Sequence, residues 1–311
     1  MDDIDLFISM MLMGNSRIPY KELANTFGMS VNSIHKRVKS MVDLGIIKNF
    51  NTKISLSYFP NTSNVILFGV SRAKNAELLI DKLGENEFIY NATKGSSNYI
   101  YAHANIKNLN QLDSVVSFMK TVGEMDELTV GLESETGRFG YPETKIRDLS
   151  NLDFLIINSL KDNSRKNISD IAVEVGANTK TVKRRLDRMI ENNLINFSID
   201  WYPDKTPMNL SMVKIKLKSK ISIDKSALIG KIREICGSSA ILIWKFSNLP
   251  DTLLLCLWTR TTRELQKFEN DLNLDEFDSI KVNVLVKGKN FPNWRTTFLE
   301  DKIKEIKAIK D

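Results

Sequence analysis

Apolar residues recur with helical spacing in two stretches that begin near residues 5 and 153, and with strand spacing in the stretches that follow each of them. In the first stretch, Leu6 to Met13 carries a helical apolar stripe and stops at the polar turn Asn15-Ser16-Arg17. Tyr20 to Phe27 predicts a short second helix with Ala24 facing inward, closed by Gly28, which suits the left-handed residue that ends a helix before a tight turn. Ser30 is placed to cap a third helix whose apolar face is Val31, Ile34, Val38 and Met41, and Gly45-Ile46-Ile47 then predicts entry into a short β-hairpin. Leu155 to Leu160, Ile168 to Gly176, the cap Asn178, the face Val182, Leu186 and Met189, and Asn193-Leu194-Ile195 repeat the same order. Helix, helix, tight turn, helix, hairpin is the winged helix-turn-helix arrangement.

The two stretches are copies. Residues 5 to 51 align without a gap on residues 153 to 199, an offset of 148 positions. Asp5 falls on Asp153, Ile8 on Ile156, Leu12 on Leu160, and the triplet Asn15-Ser16-Arg17 on Asn163-Ser164-Arg165. Ala24 meets Ala172, Gly28 meets Gly176, Arg37 meets Arg185, Met41 meets Met189 and Ile47 meets Ile195.

Between and after the copies, the pattern predicts strand, helix, strand, strand, helix, strand, twice over. In the first half the elements are Asn64 to Val70, Asn75 to Leu83, Phe88 to Ala92, Tyr99 to Ala104, Leu109 to Val122 and Glu127 to Leu132. In the second they are Met212 to Lys218, Asp224 to Cys236, Ala240 to Phe246, Thr252 to Trp258, Thr262 to Leu272 and Ile280 to Val286. The βαββαβ order is ferredoxin-like, and open sheets of this kind pair with one another, so a homo-oligomer or an intramolecular pseudo-dimer is expected. The expected fold class is therefore α+β, two winged helix-turn-helix domains alternating with two ferredoxin-like domains. The boundaries are 1–58, 59–142, 143–206 and 207–290, with a C-terminal helix and basic tail over 291–311. That last helix places Trp294, Phe298, Ile303 and Ile306 on one side, suited to packing on a sheet or a partner chain.

Composition narrows the setting. A chain of 311 residues calls for two to four domains, and 42% hydrophobic with 26% charged residues is usual for a soluble protein. No apolar run reaches membrane-spanning length, and Asp2, Asp3 and Asp5 stand where a secretory signal carries positive charge, so a cytoplasmic, nucleoid-associated protein without a membrane partner is expected. Cys236 and Cys256 sit in apolar surroundings, which predicts buried thiols rather than a disulfide framework or a metal site. The formal charge of +6 suits a polyanion, and its placement says more than its size.

With the apolar face of the third helix turned inward, the first copy presents Ser30, Asn32, Ser33, Lys36, Arg37 and Ser40. The second presents Asn178, Lys180, Thr181, Lys183, Arg184, Arg185 and Arg188, with Asp187 as the single acid among five cations. Arg and Lys match guanine edges and phosphates, while Asn, Ser and Thr match base or backbone groups, so double-stranded DNA is the expected partner. Alternative readings are a merely solvated charged face, a structural pairing of Arg37 and Arg185 with a nearby carboxylate or helix end, and a module that serves protein assembly. No phosphate-cradling glycine loop, metal-ligand cluster or nucleophile motif is present, so no cofactor and no enzymatic activity are expected.

Asp5, the Asn15-Ser16-Arg17 turn, Leu23-Ala24, Gly28, Ser30, Arg37 and Gly45-Ile46-Ile47, followed by βαββαβ, make the chain resemble the Lrp/AsnC family in tandem-duplicated form over nearly its whole length. The resemblance implies transcription regulation, with a DNA-reading module followed by a domain that dimerises and often binds an amino acid. The loop between the middle strands departs from the family's glycine- and aspartate-bearing pattern in both copies. It reads Gly95-Ser96-Ser97-Asn98 in one and Asn248-Leu249-Pro250-Asp251 in the other. Gly95, Ser97, Asn98, Asn248 and Asp251 are the candidates for an amino-acid-like effector, and plain hairpin turns are the competing reading. Two non-identical reading helices imply a quasi-palindromic or asymmetric site with half-sites about one helical turn apart. Two further functions compete with the regulator. The siroheme decarboxylases also resemble this family, and here only His35 and His103 are available to such chemistry. An architectural DNA binder would instead bind unrelated sequences equally.

Overall fold

A computed structural model describes residues 1–134, 148–206, 208–218, 224–272 and 274–309. The order through the first half is α1 (Asp3–Gly14), α2 (Tyr20–Phe27), α3 (Val31–Asp43), β1 (Ile47–Ile54), β2 (Ser63–Val70), α4 (Leu79–Leu83), β3 (Ile89–Gly95), β4 (Tyr99–Ile106), α5 (Leu112–Val122) and β5 (Leu128–Leu132). The second half runs α6 (Asn151–Leu160), α7 (Ile168–Val175), α8 (Thr179–Glu191), β6 (Ile195–Trp201), β7 (Asn209–Leu217), α9 (Lys225–Cys236), β8 (Ala240–Lys245), β9 (Thr252–Thr259), α10 (Thr262–Asp271) and β10 (Phe277–Asn290), followed by α11 (Trp294–Ala308).

These elements form two compact units. Both helix-turn-helix modules and the C-terminal helix make one unit (Met1–Pro60, Tyr141–Lys205, Pro292–Asp311), and both ferredoxin-like halves make the other (Asn61–Gly140, Thr206–Phe291). The reason in the first unit is strand exchange. The predicted hairpins do not form within the modules; instead β1 pairs antiparallel with β6, with Thr52 opposite Phe197 and Ile54 opposite Ile195. Each strand then fills the other module's core. Ile199 packs with Ile8, Leu12, Leu23 and Ile34 of the first module, while Ile54 packs with Phe154, Ile156, Leu186 and Met189 of the second. Helix α11 joins that second core through Leu299, Ile303 and Ile306, so the expected partner surface for this helix is its own chain's second module. Trp294 and Phe298 close an aromatic cluster with Phe59, at ring distances of 4.7 and 5.1 Å.

Equivalent caps start the first helix of each module. Asp2 and Asp5 form a reciprocal capping box on α1, and Ser150 and Asp153 form the same box on α6, each satisfying backbone donors that a helix N-terminus leaves open. Gly28 and Gly176 close α2 and α7 with φ of 62° and 66°, the left-handed conformation expected of them.

The second unit is an eight-stranded sheet in the order β5-β2-β4-β3-β10-β7-β9-β8. Each half keeps the ferredoxin-like order, and β10 joins them. This strand runs well past its predicted span because its first part pairs with β7 (Val282 opposite Val213) and its last part with β3 (Gly288 opposite Thr93). The remaining edges meet at their ends, where Glu133 bridges Phe246 and the amide of Ser134 donates to the carbonyl of Lys245 at 2.9 Å. One face of the second half buries Val213, Ile215, Leu253, Leu255 and Leu257 against Leu228 and Ile232 of α9 and Leu265 of α10. On the opposite face Phe68 stacks on Tyr101 at 5.9 Å and lies 6.2 Å from Phe246. Cys236 and Cys256 are buried free thiols as expected, and burial pushes both up to about 12. Among the described residues no helix is long and apolar enough to cross a membrane.

Candidate nucleic-acid interface

Helices α3 and α8 are held by three matched devices. The buried faces are Ile34, Val38 and Met41 in α3, and Val182, Leu186 and Met189 in α8. Next come the caps, in which Ser30 Oγ accepts from the amide of Ser33 at 3.1 Å and Asn178 Oδ1 accepts from the amide of Thr181 at 2.7 Å. The third device ties each helix to the capping box of its module's first helix. Arg37 Nη1 lies 2.7 Å from Asp5 and 2.9 Å from Asp2, whereas Arg185 Nη1 reaches Ser150 Oγ at 2.9 Å and Asp153 at 3.2 Å. Arg188 adds a second donor to Asp153 at 3.3 Å and reaches the carbonyl of Asp148 at 3.0 Å.

Those contacts sort the expected DNA-binding residues. Arg37 and Arg185 make carboxylate pairings of the kind weighed against DNA contact, and Arg188 makes another; hydrogen bonding by Asp5 raises the pKa of the Arg37 guanidinium above its ordinary value. Ser30 and Asn178 are caps, and Ser33 Oγ lies 2.9 Å from Ser30 Oγ. Thr181 is half-buried. Lys183 is exposed but pairs with Asp187 one turn on, at 2.7 Å. Asn32, Lys36, Ser40, Lys180 and Arg184 are exposed, and none of the three cations takes part in an ion pair among the described residues. A shallow cleft of about 230 Å³ beside α3 is lined in part by Lys36, Arg37, Ser40 and Leu44.

A contact not anticipated from the sequence joins the modules. The matching turns Asn15-Ser16-Arg17 and Asn163-Ser164-Arg165 pack on each other across an approximate two-fold. Ser16 Oγ and Ser164 Oγ lie 2.6 Å apart, both fully buried. Arg17 donates to the carbonyls of Ser164 and Lys166, and Arg165 donates to those of Ser16 and Ile18 at 2.6 and 3.0 Å. The Arg165 guanidinium also lies over the Tyr20 ring at 4.1 Å. The signal available beforehand was the identity of the two triplets in otherwise diverged copies. The interlocked turns and exchanged strands fix the two reading helices in one body.

The effector-loop candidates hold the sheet. Asn98 Nδ2 donates to the carbonyl of Ala73 at 2.7 Å, and both Ser97 and Asn98 take positive φ in the turn that follows Gly95. Asn248 clamps an edge strand as a backbone would: its Oδ1 accepts from the amide of Leu132 at 2.7 Å and its Nδ2 donates to the carbonyl of Val130 at 2.8 Å. Asp251 pairs with Lys216 at 2.6 Å. Of the histidines, His35 is exposed with its ring edge-on to Tyr20, and His103 lies between Trp244 and Tyr90 at ring distances of 5.5 and 6.0 Å. Desolvation holds His103 at about 4. No cluster of metal-ligating side chains occurs among the described residues.

A winged helix-turn-helix DNA-binding family model matches residues 1–48 and 149–196, the two modules. The transcriptional regulator AldR of Mycobacterium tuberculosis is 41% identical over 54 residues, 17% of this chain and 30% of that protein. The regulatory protein AsnC of Haemophilus influenzae is 32% identical over 120 residues, 37% of this chain and 79% of AsnC. The crystal structure of the siroheme decarboxylase NirDL in complex with an iron-uroporphyrin III analogue superposes with a TM-score of 0.59 at 12% identity, covering 99% of this chain and all of that one, a likeness of fold. A family member of ordinary length thus matches well under half of this chain, and the chain, built of two such copies, belongs to the Lrp/AsnC family.

Proposed function

We propose that the chain is a non-enzymatic, DNA-binding transcription regulator that docks α3 and α8 into duplex DNA. The observation that carries this reading is the position-matched outward face of the two helices, where Lys36, Lys180 and Arg184 are exposed and outside the ion pairs that clamp their neighbours. Cations so placed neutralise phosphates and release counterions, which makes binding salt-dependent. A cytoplasmic, nucleoid-associated setting follows from a DNA target. The two modules of one chain take the place of the two subunits of a symmetric dimer, so one chain suffices to present both reading helices. An amino-acid-like effector, if one acts, binds elsewhere than the two middle-strand loops, whose polar groups already hold the sheet.

Titration of labelled duplex from 50 to 200 mM salt tests the reading. Replacing Lys180 and Arg184 together with Ala weakens binding and lowers the salt slope by about two, whereas unchanged affinity and slope would remove α8 from the interface. A second reading, tetrapyrrole chemistry, falls on His103 between its aromatic neighbours. Added siroheme leaves the visible spectrum unperturbed if the regulator reading is right.

A further inference from the structure

The outward faces of α3 and α8 align residue by residue, and their chemistry differs at the positions nearest the helix start. Val31, Asn32, His35 and Lys36 in α3 occupy the places of Thr179, Lys180, Lys183 and Arg184 in α8, and all eight are exposed. At the third of these places the side chain is engaged within the protein: His35 lies edge-on to Tyr20 at 5.7 Å, and Lys183 is paired with Asp187. That leaves Val31, Asn32 and Lys36 against Thr179, Lys180 and Arg184.

From this row we infer that the two modules read half-sites of different base composition, so that the DNA target has a direction. The inference rests on the DNA-binding reading above. The Asn32 carboxamide matches the donor and acceptor that adenine shows in the major groove, and the exposed methyls of Val31, at the helix start, match the thymine methyl. In α8 the equivalent places hold Lys180 and Arg184, which match the paired acceptors of guanine, and nothing on that row matches adenine bidentately. Lys36 faces either a guanine or a phosphate in the first half-site. The first module therefore selects an A·T step, and the second selects guanines and supplies the larger share of charge.

Geometry makes this difference consequential. In a symmetric dimer a mismatch in one half-site is equivalent to a mismatch in the other. Here the Ser16–Ser164 contact and the reciprocal arginines hold two different readers in one body, so each half-site meets one fixed chemistry. Turning the protein end for end on its site places Asn32 where Lys180 met guanine and Lys180 where Asn32 met adenine, and both matches are lost.

Selection from random duplexes with the full chain, repeated with Asn32→Ala and Arg184→Ala, decides the matter. The wild-type selection yields a non-palindromic site with an A·T step in one half and guanine in the other. Asn32→Ala relaxes only the A·T position and Arg184→Ala relaxes only the guanine position, each by roughly five- to a hundred-fold in discrimination. Because both side chains are exposed, an unchanged melting temperature verifies that each variant is folded. A selected motif with identical half-sites, or loss of guanine preference on removing Asn32, overturns the inference while leaving the DNA-binding reading intact. Absence of any enriched sequence together with salt-independent binding overturns the DNA-binding reading, and the inference with it.

Discussion

Ser16 and Ser164 touch hydroxyl to hydroxyl at 2.6 Å, each with no exposed surface, at the point where the two helix-turn-helix modules meet. Each is the other's counterpart in the duplication, so a side chain here meets its own equivalent. Replacing either one with Ala leaves the remaining hydroxyl without this partner and is expected to cost about 1–3 kcal/mol. Replacing both costs less than the two single losses added together. Urea melts of the four-member mutant cycle measure the coupling, and strict additivity would show that the hydroxyls do not interact.

The arginine clamps are unequal. Asp153 is fully buried and receives both Arg185 and Arg188, whereas the first copy distributes Arg37 between Asp5 and the more exposed Asp2. Asp153→Ala removes the buried acceptor shared by two guanidiniums together with the capping-box carboxylate, and leaves Arg185 to Ser150 and Arg188 to Asp148; it is expected to lose about 2–4 kcal/mol, and Asp5→Ala less because Arg37 keeps the carboxylate of Asp2. Denaturant midpoints rank the two variants, and an equal loss would contradict the difference in burial.

His103 makes stability depend on pH in mildly acidic solution. Its folded pKa near 4 lies below the unfolded value of 6.5, so the unfolded chain binds the proton first. The neutral form's contribution is complete above pH 6.5 and falls away as the pH drops from 6.5 towards 4. The residue keeps some contact with solvent, so the loss is expected to be about 1–2 kcal/mol, less than the full shift implies. Thermal melts of wild type and His103→Gln across that range diverge as the pH falls, and parallel curves would show that this imidazole does not titrate with unfolding.

Trp294 anchors the start of the C-terminal helix against the segment that follows β1, with its ring 4.7 Å from that of Phe59. It is almost fully buried, so Trp294→Ala is expected to destabilise the chain by about 3–5 kcal/mol. A calorimetric scan checks the value, and a change under 1 kcal/mol would mean that this end of the helix is readily released.

Gly28 and Gly176 offer a matched pair of backbone tests. Both have positive φ and open space where a Cβ would stand, so conversion to Ala introduces conformational strain without a clash. A loss of about 1 kcal/mol at each is expected from equilibrium unfolding, and a gain at either site would overturn the argument.

How far the sequence carried these conclusions depended on whether a feature was local. The caps Ser30 and Asn178, the left-handed glycines and the buried stripes of α3 and α8 all arise within a dozen residues, and the 148-residue register made each visible twice. Partner choice was not local. Nothing in Ile47-Lys48-Asn49 says whether β1 turns back on itself or crosses to β6, because either pairing satisfies the same backbone groups and buries the same side. The arginines show the same limit. A side chain such as Arg185 reads as a groove contact on a helical wheel, and only the fold brings Asp153 within 3.2 Å of it. Asn248 was legible as a turn residue, but not as a clamp on a strand more than a hundred positions earlier.

The two-partnered strand β10 sets an order of events during translation. Residues 285–290, which cover the outer edge of β3, leave the ribosome only after most of the polypeptide has been made. Until then the nascent first half carries a bare row of amides and carbonyls of the kind that recruits other strands. Released chains that end before residue 277 should accordingly form a chaperone-binding or self-associating product, and restoring the fourteen residues of β10 should silence it.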